Sequence, residues 1–139
     1  MKIVTRELTL DTSGAGDLIN ITGGLGVILK ESKLKEGAMT VFAVGSTFAV
    51  TSFEYEPGLV RDMKEFYEKL VPSDRSYAHD DTWGDANGFS HLRAALQGPS
   101  LTLPFQNGRL MTGAWQQVVI AEFDNRPWTR RVVVQLMGE

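Results

Sequence analysis

Five segments of this 139-residue chain show either an alternation of apolar and polar residues or a run rich in β-branched and aromatic residues. An alternation of period two is typical of a strand with one buried face, and runs of Val, Ile, Thr and Phe are typical of buried strands. The pattern therefore predicts strands at Lys2–Leu10, Ala38–Ala43, Thr47–Tyr55, Trp115–Phe123 and Arg130–Met137.

Three other segments have the spacing of a helix. The clearest is Pro57–Leu70, where apolar side chains recur three and four residues apart and proline occupies the first position. A second helix is predicted over Gly23–Ser32, with Thr22 as its N-cap. A third is predicted from an N-cap at Asp85 to about residue 97, where a glycine follows.

The connections between these segments also carry information. Asn107-Gly108, between two short apolar runs, is the strongest short hairpin signal in the chain. Only Val44–Ser46 separates the second and third predicted strands, so these two strands form either a hairpin or one bent strand. Ser73–Gly84 has no periodicity, and long ordered loops of this kind are often functional.

Strands outnumber helices in this pattern, and several connections resemble hairpins. Such an order favours an α+β fold over a βαβ nucleotide-binding fold. We expect a single domain over residues 1–139, with a mostly antiparallel β-sheet and two to three helices packed on it.

Composition excludes several classes of protein. A net charge of −3 argues against a nucleic-acid-binding domain, which usually carries a basic face. The absence of cysteine excludes disulfides, thiolate zinc sites and a cysteine nucleophile. No secretory signal is visible, and no apolar run approaches the ~18 residues that cross a bilayer. We expect a cytoplasmic protein without a membrane partner.

The two histidines of the chain, His79 and His91, lie on either side of Asn87. Asn87 and His91 are four residues apart on a predicted helix, so their side chains share a face. Two imidazoles with a carboxylate can bind a divalent metal, and a histidine can also move protons near neutral pH. The alternative is structural: His91 covers a partly buried helix face and His79 decorates a loop.

Polar groups also cluster on the strand after Gly113. Gln116 and Glu122 share one face by alternation, and Asp124 joins them if the strand continues regularly. These groups can hydrogen-bond a substrate or hold Mg²⁺, or they can form the solvated face of a sheet. Farther along the chain, Arg126, Arg130 and Arg131 suit either phosphate recognition or surface ion pairs with Glu122 and Asp124. Glu54 adds a carboxylate to a pocket or simply flanks a helix start.

The order of several short motifs resembles that of a known family. They are Gly45 to Thr51, Glu54, Asp62, Tyr77-Ala78-His79, Asn87, His91-Leu92, Gly98-Pro99-Ser100, Pro104, Asn107-Gly108, Gly113, Trp115-Gln116, Glu122-Phe123-Asp124 and Arg130. On these residues the chain is similar, from about residue 22 to its end, to the YjbQ family, often called secondary thiamine-phosphate synthase enzymes. Many members are described only as conserved proteins of unknown function.

The resemblance implies a compact α+β domain that assembles as a homotrimer, with its polar cluster at or near the subunit interface. It also implies weak formation of thiamine phosphate from a hydroxymethylpyrimidine diphosphate and a thiazole phosphate, so the partner would be a small phosphorylated substrate. A divalent metal, Mg²⁺ or Zn²⁺, is the one cofactor it suggests. Two rival hypotheses stay open: a non-catalytic protein that binds a small molecule or metal, and a module whose surface is its function.

Carried onto this chain, the resemblance assigns three sets of residues. The expected catalytic residues are His79, Asn87, His91 and Gln116. The expected substrate-binding residues are Ser46, Thr47, Thr51, Trp115 and Arg130. The candidate metal ligands are Glu54, His79, His91, Glu122 and Asp124.

Two positions depart from the family pattern. Many members carry a histidine where this chain has Gly45. If that histidine is a metal ligand or base, this chain lacks it. Asn125-Arg126-Pro127 stands where Gly-Pro-Arg is common. Which arginine lines the site is therefore left open by the sequence.

Overall fold

A computed structural model describes all 139 residues, in eight strands and four helices. The strands are β1 (Lys2–Thr12), β2 (Leu18–Asn20), β3 (Gly37–Ala43), β4 (Phe48–Glu54), β5 (Ser100–Gln106), β6 (Arg109–Leu110), β7 (Gln116–Glu122) and β8 (Trp128–Gly138). The helices are α1 (Thr22–Ser32), α2 (Pro57–Leu70), α3 (Asp80–Trp83) and α4 (Gly88–Gln97).

The strands form two sheets in which every pairing is antiparallel. The larger sheet has the order β1-β8-β3-β5-β6, and the smaller has the order β2-β7-β4. The strands β3 and β4 therefore belong to different sheets, and the short segment between them carries the chain from one sheet to the other. Both alternatives expected for this segment, a hairpin and one bent strand, are wrong for that reason.

The main hydrophobic core lies between the two sheets. Alternate residues of β3 and β8 point inward from the larger sheet, and Val118 and Ile120 of β7 meet them from the smaller one. Helix α1 adds Leu25 and Leu29 to the same core. Because this face of β7 is buried, the expectation of a solvated polar face on that strand is wrong for its central residues.

A second, smaller core lies on the other face of the three-stranded sheet. Ala49, Val119 and Ala121 of that sheet pack there against Tyr67 of α2 and Ala94 of α4. The molecule thus has three layers: the five-stranded sheet, the three-stranded sheet and the helix pair α2 and α4. The predicted α+β class with mostly antiparallel strands is confirmed.

The prediction missed two short elements. Strand β2 pairs with β7 through only three residues, and α3 is a four-residue helix inside the segment predicted as a loop. The chain therefore has four helices rather than two to three. No helix combines the length and apolar character needed to cross a bilayer.

Both predicted N-caps are wrong. Thr22 is the first residue of α1, and its Oγ1 accepts a hydrogen bond from the Val118 N–H at 2.8 Å, which ties the helix to β7. Asp85 lies before the start of α4, where Asn87 occupies the N-cap position. For Thr22, a tertiary contact rather than local capping decides where the polar side chain points.

Candidate functional site

The polar side chains converge where the three layers meet. The β3–β4 segment, the start of α4, the β7–β8 segment and the start of β8 surround a cleft of about 270 Å³. The cleft is lined by Val44, Gly45, Ser46, Thr47, Asn87, His91, Asp124, Trp128 and Arg130. We call this space the polar cleft.

A buried ion pair forms the floor of the polar cleft. The guanidinium of Arg130 donates to both carboxylate oxygens of Glu122, from Nε at 2.7 Å and from Nη2 at 2.6 Å. Glu122 has no solvent-exposed surface, and Arg130 is 4% exposed. Glu122 comes from the smaller sheet and Arg130 from the larger, so the pair joins the two sheets across their common core.

Thr12 and Thr47 complete the surroundings of this pair. Thr12 Oγ1 donates to Glu122 Oε1 at 2.6 Å, and Arg130 Nη2 donates to Thr47 Oγ1 at 2.7 Å. The Nη1 atom of Arg130 makes no hydrogen bond within the chain. One guanidinium nitrogen is therefore free to donate at the cleft.

Asp124 is the second buried carboxylate of the site. It accepts from Trp128 Nε1 at 2.7 Å, from Thr47 Oγ1 at 3.0 Å and from the Asn125 N–H at 2.8 Å, with Asn87 Nδ2 at 3.4 Å. Burial alone would raise the pKa of this carboxyl, but the four donors outweigh burial and lower the pKa. The charged form of Asp124 is therefore stabilised by hydrogen bonds from the protein.

The two histidines lie against each other. Their ring centroids are 4.3 Å apart with the planes inclined by 39°. Burial lowers the pKa of His91, and the neighbouring charge of His79 lowers it further, against the opposing carboxylates of Asp124 and Asp85. His91 is therefore mainly neutral at pH 7 and able to accept a proton or a hydrogen bond.

Three polar atoms near this pair are buried without a partner: His79 Nδ1, Asn87 Oδ1 and Ser90 Oγ. Buried polar atoms are almost always hydrogen-bonded in native proteins, and each exception calls for an explanation. The orientation of Asn87 is fixed, because its Nδ2 must face the carboxylate of Asp124. Its Oδ1 is therefore a hydrogen-bond acceptor in a fixed position that no donor of the protein contacts.

Asp80 positions the loop that carries His79. Its carboxylate accepts from the N–H of Tyr77 at 2.9 Å and from the N–H of Gly88 at 2.8 Å. These two bonds, the Tyr77 bond first, lower the pKa of Asp80. Gly88 is needed for this approach, since a Cβ there would lie 2.6 Å from Tyr77 Cβ. The loop is thereby held on the first turn of α4.

Several predicted site residues lie elsewhere. Gln116 pairs with Glu54 at one end of the smaller sheet, and Glu122 pairs with Phe48 at the other end. Gln116 and Glu122 are six residues apart on the same strand, which places them about 20 Å from each other. Glu54 and Trp115 line a separate cavity of about 480 Å³. Thr51 pairs with Val119, whose side chain packs in the helix-side core. These four residues are not part of the polar cleft.

The predicted metal ligands are also separated. No group of three or more His, Asp or Glu side chains is arranged to hold a metal ion. Glu54 is remote, and all four oxygens of Glu122 and Asp124 already accept hydrogen bonds. The residues present do not assemble a metal site, and a divalent metal stays a prediction. No step proposed for the chain's own residues depends on one.

The three arginines near the end of the chain lie in different surroundings. Arg130 forms a buried pair rather than the surface pair that was the alternative, and Arg131 pairs at the surface with Glu7. Arg126 stacks on the Trp128 ring, with its guanidinium carbon 3.5 Å from the centroid. Of the three, only Arg130 lines the polar cleft.

Sequence reasoning missed Thr12, Ser90 and Trp128. Trp128 directly follows the Arg126-Pro127 departure from the family pattern, which could have signalled it. Thr12 carries no such signal, because it reaches Glu122 through the pairing of β1 with β8. Ser90 carries none either, since it is buried on the first turn of α4 beside His91 in the chain.

Comparison with known proteins identifies the family of this chain. Residues 6–139 match the family described as UPF0047 protein YjbQ-like. A UPF0047 protein of Methanothermobacter thermautotrophicus is 40% identical over 139 residues, covering 100% of this chain and 95% of that protein. A second one, from Archaeoglobus fulgidus, is 38% identical over 131 residues, covering 94% of this chain and 99% of that protein.

Solved structures give the same result. A YbjQ-like protein of unknown function from Sulfolobus solfataricus superposes with a TM-score of 0.89 at 28% identity, covering 99% of this chain and 100% of the other. A hypothetical protein from Aeropyrum pernix gives a TM-score of 0.90 at 28% identity, with coverage of 98% and 99%. The chain therefore belongs to the YjbQ-like UPF0047 family, as its motifs predicted.

Proposed function

We propose that this protein binds a small polar molecule in the polar cleft. The observation that carries the proposal is the unpartnered buried Oδ1 of Asn87, which lines the cleft together with the charged groups Asp124 and Arg130. His79 Nδ1 and Ser90 Oγ are also buried without a partner. An unsatisfied buried polar atom costs about 1–3 kcal/mol, so a ligand that supplies the missing partners recovers part of that cost on binding.

The charges of the site limit the ligand. The two buried carboxylates, Glu122 and Asp124, outnumber the one guanidinium, Arg130, and His91 is mainly neutral. A multiply charged anion therefore meets no net positive field here. A neutral ligand, or an anion that brings its own cation, suits these surroundings better.

His91 gives the site a reactive group. A neutral imidazole in contact with a second one can take a proton from a bound molecule, and the resulting charge is opposed by His79 and stabilised by Asp124. Arg130 Nη1 can donate to an oxygen of the same molecule. These groups are sufficient to bind and orient a ligand whether or not turnover follows.

The binding proposal is tested by thermal unfolding with a panel of nucleobases, aryl carboxamides, thiazoles and sugar phosphates. A ligand of the native state raises the melting temperature. We expect at least one compound to stabilise the wild type and Gln117→Ala, an amide removed from the remote cavity, but not Asn87→Ala. A panel without any hit, or equal stabilisation of all three proteins, would contradict the proposal.

A narrower function, thiamine-phosphate formation, is supported by the free Nη1 of Arg130. In that reaction the thiazole nitrogen forms a bond to the pyrimidine methylene carbon, and the C–O bond to diphosphate breaks with its electron pair leaving on oxygen. A donor to the leaving oxygen stabilises the developing charge. Because the site has no net positive charge, we propose that this phosphorylated substrate enters with Mg²⁺.

This narrower function has its own test. Thiamine-phosphate formation from the two precursors is measured with Mg²⁺ for the wild type and His91→Ala, at temperatures equally far below each melting temperature. Turnover that falls with the substitution supports the reaction at this site. Turnover that ignores His91, or none in the wild type, removes this reaction and leaves the binding proposal standing.

We also propose that the protein assembles as a homotrimer, as its family resemblance implies. The outer face of the five-stranded sheet supports self-association, because no element covers it. Strand pairing places Ile3 beside Met137 and Phe42 beside Val133 on this face. Adjacent apolar side chains of this kind often mark an interface.

A further inference from the structure

A second cavity adjoins the polar cleft. It has a volume of about 320 Å³ and shares Gly45, Ser46 and His91 with the polar cleft. Because His91 lines both spaces, a molecule lying against its imidazole has access to either side. The two spaces therefore adjoin at these three residues, and we treat them as the two halves of one site.

The two halves differ in chemistry. The second cavity, which we call the apolar cleft, is otherwise lined by Phe48, Ala94, Ala95 and Pro99. None of these four side chains offers a hydrogen bond. The polar cleft, in contrast, offers the free acceptor of Asn87 and the free donor of Arg130.

Gly45 lies at the junction of the halves. A Cβ at this position would be 2.8 Å from Phe48 Cε1, in the wall of the apolar cleft, and 3.2 Å from Arg130 Nη1, in the polar cleft. Any side chain at residue 45 would therefore displace the Phe48 ring or the Arg130 guanidinium. The glycine leaves both groups where they line the two halves.

We infer that the site takes a single amphipathic ligand, an uncharged aromatic ring carrying a head group that both donates and accepts hydrogen bonds. The ring lies in the apolar cleft beside Ala95, and the head reaches past His91, which lines both clefts, to Asn87 and Arg130. Asn87 Oδ1 requires a donor, Arg130 Nη1 requires an acceptor, and the buried carboxylates disfavour an anionic head. This inference rests on the proposed binding function and specifies its ligand class.

Two isosteric probes test the head group: benzamide, which donates and accepts, and benzoate, which is charged and only accepts. Binding is followed by ¹H–¹⁵N NMR titration at pH 7. We expect benzamide to shift amide signals in both halves, including those of Gly45, Asn87 and Ala95. Benzoate should bind about tenfold more weakly, a difference of roughly 1.4 kcal/mol.

The ring position is tested by filling the apolar cleft. Ala95 is exposed on α4, and leucine is a good helix former, so Ala95→Leu should fold normally. It should weaken benzamide binding about tenfold or more, whereas the size-matched control Ala95→Ser should bind like the wild type. Unchanged binding by Ala95→Leu, or signals that shift in the polar cleft alone, would overturn the bipartite site.

The outcome separates this inference from the proposed function. If neither probe binds the wild type, or if benzoate binds as tightly as benzamide, the aromatic amide class is wrong. The wider panel of ligands still decides whether the polar cleft binds any small molecule. A hit there that shifts only the polar half supports the proposed function and overturns the further inference.

Discussion

Glu122 and Arg130 face each other where neither side chain has appreciable contact with water. A buried charge that loses its partner costs far more than an exposed one, because the remaining charge stays desolvated. Glu122→Gln is therefore expected to lower the free energy of unfolding by about 3–5 kcal/mol, measured by urea denaturation.

The chain offers a matched control for this prediction. Arg131, the next residue, pairs with Glu7 at the surface, where an ion pair contributes about 0–1 kcal/mol. Glu7→Gln should therefore change the stability little. If Glu122→Gln and Glu7→Gln cost the same, the buried pair does not hold the two sheets together as we describe.

His91 gives a prediction for pH. Its pKa is lowered in the folded protein by burial and by the charge of His79, relative to about 6.5 in the unfolded chain. The unfolded state therefore binds the proton first, and the contribution of His91 lowers the free energy of unfolding as pH falls below about 6.5. The histidine ring signals in an NMR titration should report this low value for His91.

The cause of the shift is tested by His79→Asn. Removing the neighbouring imidazole removes its like charge, so the pKa of His91 should rise toward its ordinary value, while the part due to burial remains. A pKa of His91 that stays unchanged in His79→Asn would show that the two rings do not interact as the structure describes.

The sequence predicted some of these residues and not others, for a physical reason. Asn87 and His91 could be grouped because they lie four apart on one helix, and helical spacing is local information. An ion pair between the arginines and Glu122 was one predicted alternative, but the sequence could not show that Arg130 is the partner or that the pair is buried. Arg130 lies in the other sheet, and the packing of two sheets does not follow from the spacing of residues along the chain. The same holds for Thr12, which arrives through pairing with β8.

At the scale of elements, α2 begins with a carboxylate cap. Glu56 accepts from the N–H groups of Gly58 at 2.6 Å and Leu59 at 2.8 Å, and these bonds, the Gly58 bond first, lower its pKa. The stabilisation is present above the ordinary carboxyl pKa and is lost as pH falls through the lowered one. Glu56→Ala should therefore destabilise the protein at pH 7.

The control is Glu54→Ala, two residues earlier, where the carboxylate accepts no hydrogen bond. Denaturation over a series of pH values should show that the difference in free energy of unfolding between the two variants becomes smaller toward acid pH. Equal stability at pH 7, or a gap that does not depend on pH, would rule out capping by Glu56.

The elements themselves were mostly predictable. Long segments show their hydrophobic period over several turns. Pro57–Leu70 is one of them, and the predicted bounds of this helix are confirmed. Strand β2 and helix α3 span three and four residues, too few to show any period. The crossing between β3 and β4 was missed because a short connection usually joins neighbouring strands, whereas here it joins two layers.

At the scale of the whole molecule, the outer face of the five-stranded sheet exposes the large apolar side chains of Ile3, Phe42 and Met137. We expect light scattering after size exclusion to give three times the 15.4 kDa mass of one chain. Phe42→Asp places a charge on this face and should lower the measured mass, whereas Met111→Asp, an exposed position after β6, should not. A wild-type protein that runs as a single chain would contradict the trimer.

The whole molecule also contains a rival to the polar cleft. The cavity at the far end of the smaller sheet is larger and includes the exposed Trp115 with Glu54, two residues that the sequence had assigned to the site. It has no unpartnered buried polar atom, and no histidine lines it. On these grounds we place ligand binding at the polar cleft.

The most direct test of that placement is an amide NMR map of the wild-type protein titrated with the compound that stabilises it most in the thermal panel. We predict that the shifted signals cluster at Gly45, Ser46, Asn87 and His91. Shifts that cluster instead around Trp115 and Gln117 would contradict the account and move the functional site to the other end of the sheet.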